Sequence, residues 1–206
     1  MDVEYELKNL LLLSGGMDSA LCLAKYGAAL CLGVNYGQPH AIELKFARKI
    51  AAQFNSEFFL LQVPFLPRVD DVVFAGRNAV LVALGAAIAQ SRGLETVVIG
   101  CNFSDAQRFP DCRPDFVRSL DAAMRGAYGI RVAAPLLTMT KSQIATEAKE
   151  CGLPQTWTCY SPAGDRQCGE CYSCKGLGLE SNNAKVKDSE TYGYCDIMHT
   201  SIGAPK

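Results

Sequence analysis

No strong charge of one sign runs through this chain. Its 21 acidic and 20 basic residues leave a formal net charge of −1. That balance argues against a protein gripping nucleic acid mainly through phosphates, although a local basic patch is compatible with it. Nor is there a long apolar stretch: the longest, Ala79 to Ala89, is too short to cross a bilayer. The opening residues Met1, Asp2, Val3 and Glu4 lack the basic region and apolar run of a secretory signal. Internal repeats are absent too. The 206 residues are 49% hydrophobic and 20% charged, which excludes wholesale disorder and suits one domain with a sizeable core, alone or with a small appendage. Together these features predict a cytoplasmic protein.

Cysteine is the abnormal count, at ten. Cys22, Cys31 and Cys101 sit in apolar stretches and read as core thiols. Cys112 and Cys151 lie near element ends, and Cys195 lies near the C-terminus. The other four, Cys159, Cys168, Cys171 and Cys174, follow the spacing C-x8-C-x2-C-x2-C. Closely spaced thiolates on a turn-rich segment, here with Gly164 and Gly169, can converge on one tetrahedral metal. Zinc (Zn²⁺) is the leading choice, as a closed structural site. An iron–sulfur cluster is its rival, but ferredoxin runs continue with x3, Cys and Pro, whereas position 178 here is Gly. A disulfide framework suits an intracellular chain poorly.

The hydrophobic pattern alternates strand and helix. Strands are expected at 9–13, 29–36, 57–63, 96–101 and 131–136. Helices are expected at 18–26, around Phe46, Ile50 and Phe54, at 78–90, from Pro114, and after Thr140. The 78–90 segment is apolar almost all round and reads as a buried helix. Thr140 and Gln143 form a capping box, Met139 and Ile144 a hydrophobic staple, and Ile144, Ala148 and Cys151 one face, with Gly152 and Pro154 as the stop. Five strands alternating with helices predict an α/β fold: a five-stranded parallel sheet with helices on both faces and ligands beyond the carboxyl ends of the strands. The expected division is an α/β domain at 1–155, a four-cysteine zinc segment at 156–180 and a polar, aperiodic tail at 181–206.

The first strand runs into Ser14-Gly15-Gly16-Met17-Asp18-Ser19 and then a helix. Two glycines let backbone N–H groups approach a ligand, the serines add hydroxyls, and the helix N-terminus adds partial positive charge. Asp18 would repel a phosphate unless a hard cation such as Mg²⁺ intervened. A glycine turn with a helix cap would explain part of this pattern. The six residues together resemble the PP-loop, Ser-Gly-Gly-x-Asp-Ser, of ATP pyrophosphatases. That resemblance implies ATP cleavage between the α and β phosphates and adenylation of an acid.

Further segments narrow the resemblance: Tyr36-Gly37-Gln38-Pro39-His40, Gly76-Arg77-Asn78, Asn102 through Phe116, Pro135-Leu136, Thr140 through Ile144, and Trp157-Thr158-Cys159-Tyr160. With the cysteine segment, they resemble the QueC (7-cyano-7-deazaguanine synthase) family over roughly residues 8 to 176. The resemblance implies a PP-loop, Rossmann-type fold and a substrate, 7-carboxy-7-deazaguanine. ATP activates its carboxylate, ammonia gives an amide, and a second activation gives the nitrile preQ0. Leu13, Ser14, Gly15, Gly16, Met17, Asp18 and Ser19 would hold ATP with Mg²⁺, joined by Val34 and Tyr36 at the adenine and by Arg77 and Asn78. Lys141 would stabilise charge at the α-phosphate. Asp105, Pro110, Asp111 and Arg113 would meet the substrate, with Asp18, Ser19, Asp111, Arg113 and Lys141 as the catalytic set. Asp111 also suits a turn, and Arg77 and Asn78 equally suit a helix cap. His40 reads as structural or solvated, and His199 carries no argument.

Two departures stand out. The segment Pro64 to Ala75 is shorter than the family's, where it helps cover the substrate, and the chain after Cys174 follows an unfamiliar course. A more open site leaves two alternatives: a conjugase passing the activated acyl group to a protein amine, as in antiphage systems, or a PP-loop enzyme modifying tRNA. The charge balance counts against a nucleic-acid partner. No membrane partner is expected, and a homodimer is the family tendency.

Overall fold

Leu10 and Leu12 pack into the core on one side of the central sheet, Leu11 and Leu13 into the core on the other. A strand buried on both faces needs an unbroken apolar run, and the stretch entering the glycine loop supplies one. The computed structural model describes residues 7–63 and 76–176. The expectations for Met1 to Glu4, the short Pro64 to Ala75 segment, Cys195, His199 and the 181–206 tail lie outside the described residues.

Five parallel strands form the sheet: β1 (Asn9–Leu12), β2 (Leu30–Asn35), β3 (Glu57–Gln62), β4 (Thr96–Val98) and β5 (Arg131–Ala133). Their order is β3-β2-β1-β4-β5, so the winding reverses between β1 and β4. Leu10 lies in register with Leu30 on one side and Val97 on the other. The helices are α1 (Met17–Tyr26), α2 (Glu43–Gln53), α3 (Arg77–Ser91), the short α4 (Phe103–Ala106), α5 (Pro114–Tyr128), α6 (Lys141–Glu150) and α7 (Tyr172–Gly176), with a 3₁₀ turn at Pro110–Cys112. Helices α3 and α5 cover one face, and α1, α2 and α6 the other. The expected α/β class is therefore the observed one. Among the described residues no helix is long and apolar enough to cross a membrane.

Local chemistry sets several boundaries. Thr140 accepts from the backbone N–H of Gln143, whose side chain returns to the Thr140 N–H at 2.8 Å, so the capping box is present. Pro114 opens α5, and Gly129 closes it in the left-handed conformation. Strands β4 and β5 are half the expected length, because beyond Val98 and Ala133 the chain turns into the loops that form the site. Helix α3 is not buried all round: it buries Val82, Gly85, Ala86 and Ala89, while Ala87 is exposed. A uniformly apolar helix gives no periodic signal of which face turns inward. Cys151 leaves the face shared by Ile144 and Ala148 and is exposed at the C-cap of α6. Cys22, Cys31 and Cys101 are buried as expected.

Candidate active site

A cavity of about 570 Å³ opens beyond the carboxyl ends of β1, β2 and β4. This is the crevice where the strand order reverses, the usual ligand position in such sheets. Ser14, Gly16, Met17, Asp18 and Ser19 form one wall, together with Leu13. The loop is shaped by close approach. Gly15 has φ of +94°, and a Cβ there would lie 2.2 Å from the Glu43 carbonyl oxygen in α2. A Cβ on Gly100, just past β4, would come 3.1 Å from the Ser19 backbone nitrogen. Ser14 Oγ accepts from the Gly16 N–H at 3.2 Å and lies 3.2 Å from Ser19 Oγ. The first turn of α1 thus faces the cavity with hydroxyls and N–H groups, an arrangement that binds anions.

A charged cluster stands beside this loop. Lys141 Nζ, in the first turn of α6, donates to Asp18 Oδ2 at 2.6 Å and lies 3.1 Å from Asp105 Oδ2. Asn102, fully buried, ties the two acids together, donating to Asp105 Oδ2 at 2.7 Å and to Asp18 Oδ2 at 3.2 Å. The Lys141 backbone N–H donates to Ser104 Oγ at 3.1 Å, which fixes α6 against the loop after β4. Burial raises the Asp18 carboxyl, and the neighbouring ammonium opposes it. Burial alone would lower Lys141, but Asp18 and Asp105 outweigh it and hold the ammonium above the ordinary lysine range. Among the described residues Asp18 Oδ1 is buried without a hydrogen-bond partner, an acceptor that fits a cation.

The opposite wall carries a second cluster. Val34, Tyr36, Glu43, Arg77 and Tyr160 line it. Arg77 donates to Tyr36 Oη at 3.3 Å. Burial would lower the Arg77 guanidinium, but Tyr36, Tyr160 and Glu43 hold it charged. Glu43 is pushed up to about 7 by burial, against the pull of Arg77. His40 is structural, 1% exposed and edge-on to Tyr160, and burial with the Arg77 charge lowers it to about 4.

The residues after β4 divide. Asp105 lines the cavity, whereas Pro110 and Arg113 are exposed and do not. Arg113 donates to the Ala106 carbonyl at 3.3 Å instead, because Pro114 starts α5 and points the preceding residue away. Asp111 is buried and accepts from the backbone N–H of Asn78 at 3.1 Å, capping α3 from a distance. Asn78 reaches back, donating to the Asp111 carbonyl at 3.0 Å. Of the residues expected to meet the substrate, Asp105 therefore lines the cavity, and Pro110, Asp111 and Arg113 lie outside its lining. Glu43, Tyr160 and Asn102 carried no individual expectation, although the segments containing Tyr160 and Asn102 were singled out and one ending at His40 stops just short of Glu43.

The four cysteines converge. The Sγ atoms of Cys159, Cys168, Cys171 and Cys174 all lie within 4.8 Å of one another. Four thiolates about 2.3 Å from one ion stand about 3.8 Å apart in a tetrahedron, so the set fits a metal. Backbone N–H groups of Cys168 and Cys171 donate to Cys159 Sγ at 3.1 Å and Cys168 Sγ at 3.2 Å, as suits thiolate acceptors. Trp157, Cys159 and Cys174 belong to the same core as α1 and α2. The Trp157 N–H donates to the Gly15 carbonyl at 2.8 Å.

Structural likeness includes a U34-tRNA thiolase, NcsA, from Methanococcus maripaludis with its 4Fe–4S cluster (TM-score 0.54, 16% identity, 77% of this chain and 61% of that one). It also includes NMN synthetase from Francisella tularensis (TM-score 0.50, 18% identity, 74% and 65%). At such identities the likeness carries the fold alone and does not favour the tRNA alternative. Sequence relatives are closer. A 7-cyano-7-deazaguanine synthase from Synechococcus sp. strain CC9902 is 36% identical, covering 80% of this chain and 88% of its own length. Proteins of the same name from Myxococcus xanthus (35% identity; 88% and 95%) and Porphyromonas gingivalis (30%; 92% and 99%) span still more. The alignment to the first runs over 199 positions, more than the share of this chain it covers, so that relative carries residues absent here. The model of the family described as queuosine biosynthesis protein QueC matches residues 8–74 and 67–177, two pieces that meet where the sequence is short. With that match spanning both the glycine loop and the four cysteines, the chain belongs to the QueC family.

Proposed function

We propose that this protein is an ATP-dependent carbon–nitrogen ligase that converts 7-carboxy-7-deazaguanine to 7-cyano-7-deazaguanine. One observation carries the reading: Lys141 reaches Asp18 at 2.6 Å, so the anion-binding loop after β1 and the first turn of α6 meet at one point. Membership of a family whose named relatives are 7-cyano-7-deazaguanine synthases supports the substrate.

In this reading Ser14, Gly15, Gly16 and Ser19 cradle the pyrophosphate end of ATP, and Val34 and Tyr36 bound the adenine. Bound Mg²⁺ would neutralise triphosphate charge, with Asp18 as the residue that holds it. Lys141 stabilises the negative charge that grows at the α-phosphorus as the substrate carboxylate attacks. Asp105 accepts from the donor-rich edge of the deazaguanine ring. Asp111 and Arg113 support the loop rather than the reacting atoms. Cys159, Cys168, Cys171 and Cys174 hold structural zinc, which fixes the 156–180 segment against the ATP-binding part at 1–155. The 181–206 tail has no role in this reading.

The test is incubation with 7-carboxy-7-deazaguanine, ATP, Mg²⁺ and ammonium, with identification of every product. AMP, pyrophosphate and the nitrile are expected. Failure to release AMP with this acid present would overturn the reading, and a protein-sized adduct would replace it with acyl transfer to a protein amine.

A further inference from the structure

Carbon–nitrogen bond formation needs more than an activated acid. Ammonia that attacks an acyl adenylate becomes a positively charged nitrogen and must lose a proton before the amide is stable. At neutral pH most of the nucleophile also arrives as ammonium. A group in the cavity that takes protons near pH 7 therefore accelerates the step.

Among the described residues, the cavity wall holds three carboxylates: Asp18, Asp105 and Glu43. Two are engaged. Asp18 and Asp105 share Lys141 and Asn102, and removing either from that cluster would break the charge balance beside the α-phosphate. Of the three, Glu43 alone has no cation bonded to it among the described residues. Gln38 Nε2 donates to its Oε1 at 3.4 Å, and the neutral His40 ring stands 3.5 Å away. The other titratable or charged groups facing it are Tyr36 at the end of β2, Arg77 at the start of α3, and Tyr160 beyond α6. Arg77 stays protonated, and burial raises Tyr36 and Tyr160 above the ordinary tyrosine range, so none of them is a base near neutrality.

The position of Glu43 is as specific as its isolation. It is the first residue of α2, and its carbonyl packs where a side chain on Gly15 would stand. The carboxylate thus hangs from the element that abuts the nucleotide loop. Tyr160, edge-on to His40 with ring centroids 5.3 Å apart, lines the same cavity as Glu43, Asp105 and Lys141.

We infer that Glu43 is the base that takes the proton from the nitrogen nucleophile. The inference rests on the ligase reading above and adds a catalytic residue to it. The nitrogen lone pair forms the C–N bond to the acyl carbon. The C–O bond to AMP breaks, and its electron pair leaves with AMP. One N–H proton passes to the Glu43 carboxylate, and the carboxylic acid returns it to solvent. A raised proton affinity, caused by burial, suits Glu43 to both halves of this cycle. The later dehydration removes two more protons from the same nitrogen, and Glu43 is placed to take them in turn.

The experiment separates activation from nitrogen transfer. Substrate-dependent exchange of labelled pyrophosphate into ATP reads adenylation, and amide formation at a fixed concentration of free ammonia reads transfer. Glu43→Gln is expected to keep exchange within about threefold of wild type while amide formation falls about 100-fold or more. Hydroxylamine, which is largely unprotonated at neutral pH, is expected to restore transfer as the hydroxamate, and Glu43→Asp to recover part of the ammonia reaction. The wild-type transfer rate is expected to fall below about pH 7, with that limb absent from Glu43→Gln. Full ammonia-dependent amide formation by Glu43→Gln would overturn the inference. So would loss of exchange in parallel with transfer, which would make Glu43 a nucleotide-binding or folding residue. Absence of exchange in the wild type would instead remove the ligase reading itself.

Discussion

The backbone N–H of Trp157 donates to the carbonyl of Gly15 at 2.8 Å. This bond joins the segment that leads into the four cysteines to the most constrained residue of the nucleotide loop. Trp157 is 2% exposed, its ring 5.2 Å from that of Phe46 in α2, and its indole N–H donates to the Cys159 carbonyl at 2.8 Å. The cysteine cluster therefore braces the loop from behind. Cys171→Ser, or removal of the metal by a chelator, is expected to loosen both regions together. A structural zinc site contributes on the order of 10 kcal/mol to local folding, so metal content, melting temperature and ATP affinity should fall in concert. A metal-free wild-type protein with unchanged melting temperature would show that the cluster carries no such load.

Lys141 is expected to matter for chemistry more than for folding. In the proposed reaction Lys141→Met would remove a cation from the α-phosphate and should lower substrate-dependent pyrophosphate release about 100- to 1,000-fold. It also leaves Asp18 and Asp105 facing each other without their shared partner, so some stability is lost. Far-UV circular dichroism and a Lys141→Arg variant separate the two effects, since arginine keeps the charge. A Lys141→Met enzyme with full adenylation activity would exclude the role.

Asp111 offers a direct contest between the sequence expectation and the observed geometry. As a cap on α3 it needs only an acceptor for the Asn78 N–H, and asparagine supplies one. Asp111→Asn should then leave stability within a few tenths of a kcal/mol, while Asp111→Ala should cost about 1 kcal/mol. Chemical denaturation measures both. If Asp111→Asn instead abolished substrate-dependent ATP cleavage with stability unchanged, the carboxylate would be a substrate contact after all.

The contrast between Asp111 and Asp18 shows what could be read from sequence. Asp18 sits in six contiguous residues whose chemistry is complete locally: glycines, hydroxyls and a helix start. The four cysteines are equally compact, and the Thr140–Gln143 box closes on itself. The alternation of strands and helices followed from periodicity, whereas the strand order did not, uniform apolarity hid the inward side of α3, and Cys151 left the face expected in α6. Glu43 was invisible for another reason. It looks like an ordinary acid at a helix N-terminus, and only its burial against Gly15 and near Arg77 sets it apart. Asn102 likewise gains its place by joining Asp18 to Asp105, a contact across 84 positions of sequence. Gln38, His40 and Glu43, closely spaced polar residues directly after a buried strand, were the available signal.

His40 and Glu43, 3.5 Å apart, should also leave a mark on stability against pH. Glu43 is raised in the fold from 4.5 to about 7, so the folded protein holds that proton more tightly than the unfolded chain. Its contribution is fully present below about pH 4.5 and is lost as pH rises through 7. His40 is lowered from 6.5 to about 4, so its contribution is present above about pH 6.5 and is lost as pH falls through 4. Between these limits the fold takes up a proton at Glu43 and gives one up at His40, and the two slopes cancel. Each single substitution should unmask the other. Relative to wild type, Glu43→Gln should lose stability on acidification from pH 6.5 to 4.5, because the His40 slope then stands alone. His40→Asn should gain stability over the same window. Each difference should approach about 3 kcal/mol, at 1.36 kcal/mol per pKa unit. Denaturant midpoints of the three proteins at several pH values measure it, and parallel curves would show that neither group titrates differently in the fold.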